Sequence, residues 1–279
     1  MRIGIDLGGS KTELIALDTS GLELLRFRRA TPVGDYQQTV TLLAAMVTEA
    51  EAKLEAKACV GIGTPGAISL KTGLMKNCNS TCLNGRSLKE DVEQRLDREI
   101  RISNDANCFA LSEAVDGSAS GADLVFGVIL GTGVGGGIVA YGKPLIGINS
   151  ISGEWGHNPL PYPQSDEQPG AKCYCGRNGC IETWLSGPGL SADYQRNHGV
   201  VFSAEQIVMQ AGEGDEYCQQ MLMIYFDRLA RALAGVINIL DPDVIVLGGG
   251  MSNVKQLYDE IPRRWGAYVF SDEVRTVLK

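Results

Sequence analysis

Apolar and polar residues alternate through positions 2–7 and 12–17, which predicts two short strands joined by the tight turn Gly8-Gly9-Ser10-Lys11. A third strand is expected over 23–28. The period then lengthens: Leu42, Ala45, Met46 and Glu49 keep a helical rhythm within an expected helix over 37–54. An apolar strand over 58–63 runs into Gly63-Thr64-Pro65-Gly66, and 87–96 reads as a helix with Ser87 and Glu90 at capping-box spacing. A strand over 100–103 leads into Asn104-Asp105 and a further helix, whose Cys108, Leu111 and Val115 read as a buried stripe.

A second cycle begins at Leu124, where two apolar runs flank Gly131-Thr132-Gly133 and echo the opening of the chain. Residues 148–190 are loop-rich. A long helix is expected over 217–240, with Leu222, Tyr225, Leu229, Leu233, Val236 and Leu240 on one face. Asp241-Pro242 ends it, a strand over 244–247 follows, and Gly248-Gly249-Gly250 turns into another helix. Strands alternating with helices predict an α/β protein. The small, polar stretch at 116–121 sets two expected lobes, a smaller one over 1–117 and a larger one over 118–279.

Lys and Arg total 25 against 33 Asp and Glu, a net charge of -8, which argues against a nucleic-acid partner. No run of about 18 apolar residues suggests a membrane span, and the opening MRIGIDLGGSKT reads as a strand rather than a signal segment. A cytoplasmic, reducing setting is therefore expected, in which the eight cysteines read as buried thiols or metal ligands before disulfides.

Three glycine turns close predicted strands: Gly8-Gly9, Gly131-Thr132-Gly133 and Gly248-Gly249-Gly250. Ligands bind at the carboxyl ends of open α/β sheets, and glycine lets backbone N–H groups approach phosphate. Ser10, Thr12 and Thr132 would add hydroxyls and Lys11 a charge. With no Walker A or G-x-G-x-x-G pattern, the three turns together favour a nucleotide cleft of another type. The Asn104-Asp105 pair reads in two ways, as a helix cap, which the local pattern favours, and as a carboxylate that accepts a proton.

The sharpest local signal is Cys173, Cys175 and Cys180 within eight residues, with His157 sixteen positions before Cys173. Three thiolates and one imidazole complete a closed, structural zinc shell. Glu154 would share a face with His157, and the imidazole nitrogen left over from zinc would bond a backbone carbonyl or a substrate hydroxyl. Glu182 would bring a second carboxylate, making a cradle suited to a sugar.

In this order, Asp6 to Thr12, Gly63 to Gly66, Asn104-Asp105-Ala106-Asn107, Gly131 to Gly133, Glu154-Trp155-Gly156-His157, the three cysteines and Gly248 to Gly250 make the chain resemble the ROK family (repressors, open reading frames, kinases). The resemblance runs from residue 3 to about residue 270. It implies a two-lobed, actin-like ATPase (ribonuclease H-like) fold with a zinc-binding loop. Segments 77–85 and 154–161 carry a narrower likeness to the fructokinases. The implied activity is transfer from ATP to the 6-hydroxyl of fructose, with mannose as a secondary substrate and N-acetylglucosamine or glucose as the alternative acceptors.

By the same resemblance, Asp105 would be the base and Asn104 would orient the sugar. Glu154, His157, Glu182, Asn79 and the Pro65-Gly66 backbone would hold other hydroxyls. Asp6 would face the Mg²⁺ of MgATP, while Gly8, Gly9, Ser10, Lys11, Thr12, Gly131, Thr132 and Gly133 clamp phosphates and Gly248, Gly249 and Gly250 line the adenosine site. A homodimer is expected. Ser10 stands where the family usually has Thr, and the residues to Lys279 are expected to lack the family's final helix. A repressor of the same family would carry a helix-turn-helix before the first glycine turn, and none is expected with that turn starting at residue 6.

Overall fold

Alternation in the first seven residues places Ile3, Ile5 and Leu7 on a buried face of strand β1 (Arg2–Leu7). The computed structural model describes residues 1–279 as two units: Met1–Cys108 with Ile146–Ile151, and Phe109–Leu145 with Ser152–Lys279. In the first unit β1 pairs antiparallel with β2 (Lys11–Leu17), which pairs with β3 (Glu23–Ala30). Helix α1 (Tyr36–Leu54) starts at Asp35, whose carboxylate accepts the Gln38 N–H, and buries Val40, Leu43, Met46, Val47 and Ala50. The expected rhythm through Leu42, Ala45 and Glu49 lies beside that face, and Ala45 is exposed.

Strand β4 (Cys59–Thr64) follows, then the short pair β5 (Ala67–Ile68) and β6 (Met75–Lys76). Helix α2 (Leu88–Leu96) lacks the expected capping box, because the Ser87 side chain makes no cap bond. Strand β7 (Arg101–Asn104) completes the sheet order β3-β2-β1-β4-β7. Strands β1, β4 and β7 are parallel, with Asp6 opposite Gly63 and Thr64 opposite Asn104. Their carboxyl ends are therefore level.

Helix α3 (Asp105–Val115) carries a correction. Cys108 and Val115 are exposed, and the buried residues are Ala106, Asn107 and Ala110. The reason is close packing through small residues: a side chain at Gly127 would meet the Ala110 Cβ at 2.7 Å. Hydrophobicity alone does not signal such a face. The division between units falls inside α3, upstream of the polar stretch at 116–121.

The second unit repeats the plan of the first. Strands β8 (Leu124–Leu130) and β9 (Val134–Ala140) form an antiparallel hairpin, and β10 (Lys143–Pro144) extends it. A loop region leads to α4 (Glu182–Leu185), α5 (Gly187–His198), α6 (Ala204–Gly212) and α7 (Glu216–Leu240). Strand β11 (Val244–Gly248) lies parallel to β8, then come α8 (Leu257–Trp265) and β12 (Val277–Leu278), giving the order β10-β9-β8-β11-β12.

Helix α7 is the spine of this unit. Asp215 caps it by accepting the Cys218 N–H, and Leu222, Tyr225, Leu229 and Leu233 are buried as the pattern predicts. Each such leucine contributes about 1.5–3 kcal/mol through burial. Its core also holds charge: Arg231 pairs with Glu167 at 2.7 Å, and Arg228 pairs with Glu167 at 2.7 Å and with Asp193. These groups anchor the loop that precedes the cysteines to the helix. No helix is long and apolar enough to cross a membrane.

Candidate active site

The level strand ends of the first unit gather several expected site residues. Asp6 is the next-to-last residue of β1. Displaced water pushes its carboxyl above the usual range, the Glu13 charge adds to this, and Arg28 partly offsets it. In the turn after β1, the Gly8 N–H donates to the Lys11 carbonyl at 3.1 Å, and a side chain on Gly8 would strike that oxygen at 2.7 Å. Gly9, Ser10 and Lys11 are exposed. Thr12 is not: it is fully buried, its hydroxyl lies 2.8 Å from that of Thr31, and Thr31 donates to the Gly8 carbonyl. Thr12 braces the turn from inside, so it offers a phosphate its backbone only.

Pro65 and Gly66 are buried beyond β4. Gly66 has φ 129, and a side chain there would meet Cys78 Sγ and the Lys76 carbonyl at 2.6 Å. This close approach seats the segment that carries Asn79, which is exposed. Asn84, which sequence reasoning missed, clamps it by accepting the Cys78 N–H at 2.9 Å and donating to the Cys78 carbonyl at 3.0 Å.

Asn104 ends β7 and caps α3, its Oδ1 accepting N–H groups of Ala106 at 3.0 Å and Asn107 at 3.3 Å. Asp105 is the first helical residue, and its Oδ1 also accepts the Ala106 N–H, at 2.8 Å. The two side chains thus share the Ala106 N–H, Asn104 alone reaches that of Asn107, and the Asp105 carboxylate sits at the N-terminus of α3. Cys108 Sγ comes within 3.6 Å of where a Gly63 side chain would stand, and the thiol feels both Asp105 and Asp6.

In the second unit a cavity of about 670 Å³ opens beside the β8–β9 turn. Gly131, Thr132 and Gly250 line it, together with Gly187, Pro188 and Ser203. Close packing also demands glycine at the other expected positions. Gly248 leaves room for the Phe109 ring, and a side chain on Gly249, which has φ 83, would strike the Leu130 carbonyl at 2.5 Å. Gly133 gives passage to Glu182, whose Oε2 would lie 2.7 Å from a side chain there. The N-termini of α5 and α6 at this cavity went unread, although both carry signals. Ser186 caps Gly189 with a proline in the first turn, and Ser203 forms a capping box with Gln206. Two helix N-termini and a glycine turn around one cavity suit a nucleotide.

The cysteine loop converges as its spacing predicts. One ligand atom from each of His157, Cys173, Cys175 and Cys180 lies within 4.8 Å of all the others. Cys175 and Cys180 Sγ are 3.6 Å apart, and Cys173 Sγ is 3.5 Å from His157 Nδ1. A tetrahedral zinc shell has edges of about 3.8 Å between sulfurs and about 3.5 Å between sulfur and nitrogen. The residues fit the metal. Backbone bonds shape the same loop: the Cys173 N–H donates to the Arg177 carbonyl at 2.8 Å, and the Leu160 N–H to that of Gly179 at 3.0 Å. Gly176 and Gly179 take φ values of 91 and 65 to turn the chain. The Arg177 side chain draws the Cys175 thiol down to about 6, while burial pushes Cys180 up to about 12.

His157 ends the short 3-10 turn Trp155–His157 that follows Glu154. Its Nε2 lies 2.9 Å from the Tyr174 hydroxyl. Glu182 opens α4, two residues past Cys180, and accepts the Val134 N–H at 3.0 Å. The expected sugar-binding groups of this unit, Glu154, His157 and Glu182, are thus mounted on the two flanks of the cysteine loop.

The ROK family model matches residues 2–279. An N-acetyl-D-glucosamine kinase of Citrobacter koseri is 40% identical over 271 residues, covering 94% of this chain and 89% of its own. The ROK hexokinase of Thermus thermophilus superposes with TM-score 0.86 at 26% identity, covering 99% of this chain and 91% of that one. A ROK glucokinase of Streptomyces griseus, solved with glucose and AMPPNP, gives 0.79 at 27%, covering 99% and 93%. By motif order, fold and overall similarity, the chain belongs to the ROK family and stands among its sugar kinases.

Proposed function

We propose that this sugar kinase transfers the terminal phosphoryl group of ATP to the 6-hydroxyl of N-acetyl-D-glucosamine. The observation that carries the chemistry is the place of the Asp105 carboxylate, first residue of α3 directly after β7 and beside the capping Asn104. Asp105 takes the proton of the acceptor hydroxyl as its oxygen bonds to phosphorus. The bond between that phosphorus and the bridging oxygen breaks, and ADP leaves. Asn104 and Asn79, with the Pro65-Gly66 backbone, orient the sugar, and Glu154, His157 and Glu182 hold its other hydroxyls. Nucleotide occupies the cavity beside Gly131, Thr132 and Gly250, with phosphates on the turns at Gly8 to Lys11 and Gly131 to Gly133.

Magnesium, bound with ATP, would neutralise phosphate charge. Asp6 suits it, because burial and then the Glu13 charge disfavour its lone carboxylate, and a cation would relieve both. Zinc on His157 and the three cysteines would be structural, holding the loop that mounts the sugar-binding groups. The chain is expected to work in the cytoplasm, as a homodimer.

Relatives of 40% identity favour N-acetyl-D-glucosamine as acceptor. A second reading, fructose with mannose, is favoured by segments 77–85 and 154–161, which carry the fructokinase likeness. Coupled ADP detection with N-acetyl-D-glucosamine, fructose, mannose and glucose separates them. A kcat/KM for N-acetyl-D-glucosamine at least ten-fold (about 1.4 kcal/mol) above the others supports the first, and the reverse order favouring fructose replaces it. No turnover of any hexose removes the kinase reading.

A further inference from the structure

Tyr174 lies between two of the zinc-loop cysteines, and its side chain is 74% exposed. A structural metal loop needs no aromatic ring at that position. Yet the Tyr174 hydroxyl lies 2.9 Å from His157 Nε2, and its ring meets the imidazole edge-on, with centroids 5.0 Å apart at 87°. His157 turns its other nitrogen, Nδ1, toward Cys173 Sγ at 3.5 Å. With Nδ1 committed to a metal, the neutral ring carries its proton on Nε2. The Nε2–H therefore donates, and the Tyr174 oxygen accepts.

That nitrogen is the one which, in the proposed function, donates to a sugar hydroxyl. It has a single hydrogen and serves one good acceptor at a time. The Tyr174 hydroxyl thus stands at that nitrogen, where a sugar hydroxyl would stand.

We infer that Tyr174 is a movable plug, which occupies the sugar-binding nitrogen of His157 in the ligand-free enzyme and is displaced when the hexose binds. An exposed ring swings out without opening the core, and its hydroxyl regains water. A site that is open only a fraction of the time binds with its affinity reduced by that fraction. One neutral hydrogen bond of ordinary net strength keeps the plug closed in roughly five of six molecules. Tyr174 is then a positioning residue that sets apparent sugar affinity and leaves the phosphoryl step alone. The inference rests on the sugar-kinase reading.

The test compares the zinc-loaded wild type with Tyr174→Phe, which keeps the ring and removes the acceptor. Calorimetric titrations use N-acetyl-D-glucosamine and fructose as probes, without nucleotide. Nitrogen-15 spectra follow the His157 Nε2–H, which is readily resolved because the chain has 2 histidines. The variant is expected to bind its sugar up to about six-fold tighter, with kcat within about two-fold and zinc content unchanged. Its Nε2–H should exchange faster with water than in the wild type. Unchanged or weaker sugar binding in the variant overturns the plug, as does equal proton exchange in the two proteins. If the proton is protected by Tyr174 but neither sugar binds either protein, the sugar reading fails and the plug falls with it. If sugar binds while the proton is unprotected in both, the plug alone falls.

Discussion

The Glu182 carboxylate accepts the Val134 N–H at 3.0 Å, tying the first residue of α4 to the first residue of β9. The residue just past the cysteine loop is therefore bonded to the residue just past the Gly131-Thr132-Gly133 turn. In the proposed enzyme one carboxylate serves both substrates, the sugar directly and the nucleotide through this turn. Glu182→Ala should raise the sugar KM roughly 10- to 100-fold, the range for losing a charged hydrogen bond, and raise the ATP KM several-fold. Glu182→Gln keeps an acceptor for Val134 and should restore the ATP KM while the sugar KM stays high. If the two variants show the same ATP KM in steady-state assays, the bond carries no coupling.

Zinc is expected at one ion per chain, bound by His157, Cys173, Cys175 and Cys180. Removing it leaves three sulfurs and an imidazole crowded within 4.8 Å with no central charge to hold them. The loop should loosen, taking His157 with it. Chelation should raise the sugar KM about ten-fold or more and lower the melting temperature, and added zinc should reverse both. Mass spectrometry for metal content, run beside the kinase assay, checks this. Full sugar affinity in metal-free protein would show that the backbone bonds of the loop suffice.

Features that depend on short-range rules were legible in the sequence. The turn at Gly8 forms because β1 and β2 alternate around residues free of bulky side chains, and the four metal ligands converge because few other arrangements satisfy three thiols and an imidazole. Features set by packing were not. Thr12 reads as a phosphate donor until the sheet buries it against Thr31. The buried face of α3 is made of alanines and an asparagine, which leave no apolar stripe to count. Gly248 and Gly249 read as ligand-facing, and only the positions of Phe109 and Leu130 show that close packing also demands glycine there. Nor does spacing reveal that Tyr174 meets His157, since the loop brings residues seventeen apart together in three dimensions. The acceptor sugar depends on the same kind of local shape.

At the start of α3, capping and catalysis should come apart by mutation. Asp105→Asn removes the proton acceptor and keeps the side-chain shape, so kcat should fall roughly 10²- to 10⁴-fold while sugar binding survives. Asn104→Ala loses the bonds from Ala106 and Asn107, which costs about 1 kcal/mol and should lower the melting temperature by about 2–4 °C. Turnover of Asp105→Asn near the wild-type rate would remove this carboxylate as the base. Calorimetric titration of the same variant with sugar shows whether its pocket is intact.

Glu167 ties the loop before the cysteines to α7 through Arg228 and Arg231, with all three side chains buried. Burial alone would push its carboxyl up, but the hydrogen bonds from Arg231 and Arg228 outweigh it and bring the group down to about 2. An unfolded glutamate titrates near about 4.3. Its folded value is the lower one, so the stability it contributes is present above about pH 4.3 and disappears as pH falls toward 2. A shift of about two units corresponds to about 3 kcal/mol. Glu167→Gln should therefore be less stable at pH 7 by about 3–5 kcal/mol, because two buried guanidinium groups lose their countercharge. It should also lack part of the steep acid unfolding of the wild type between pH 4 and 2. Denaturant titrations of both proteins across pH 2–7 check this: the two stabilities should converge as the medium turns acid, and parallel curves would mean that Glu167 titrates alike in the folded and unfolded chains.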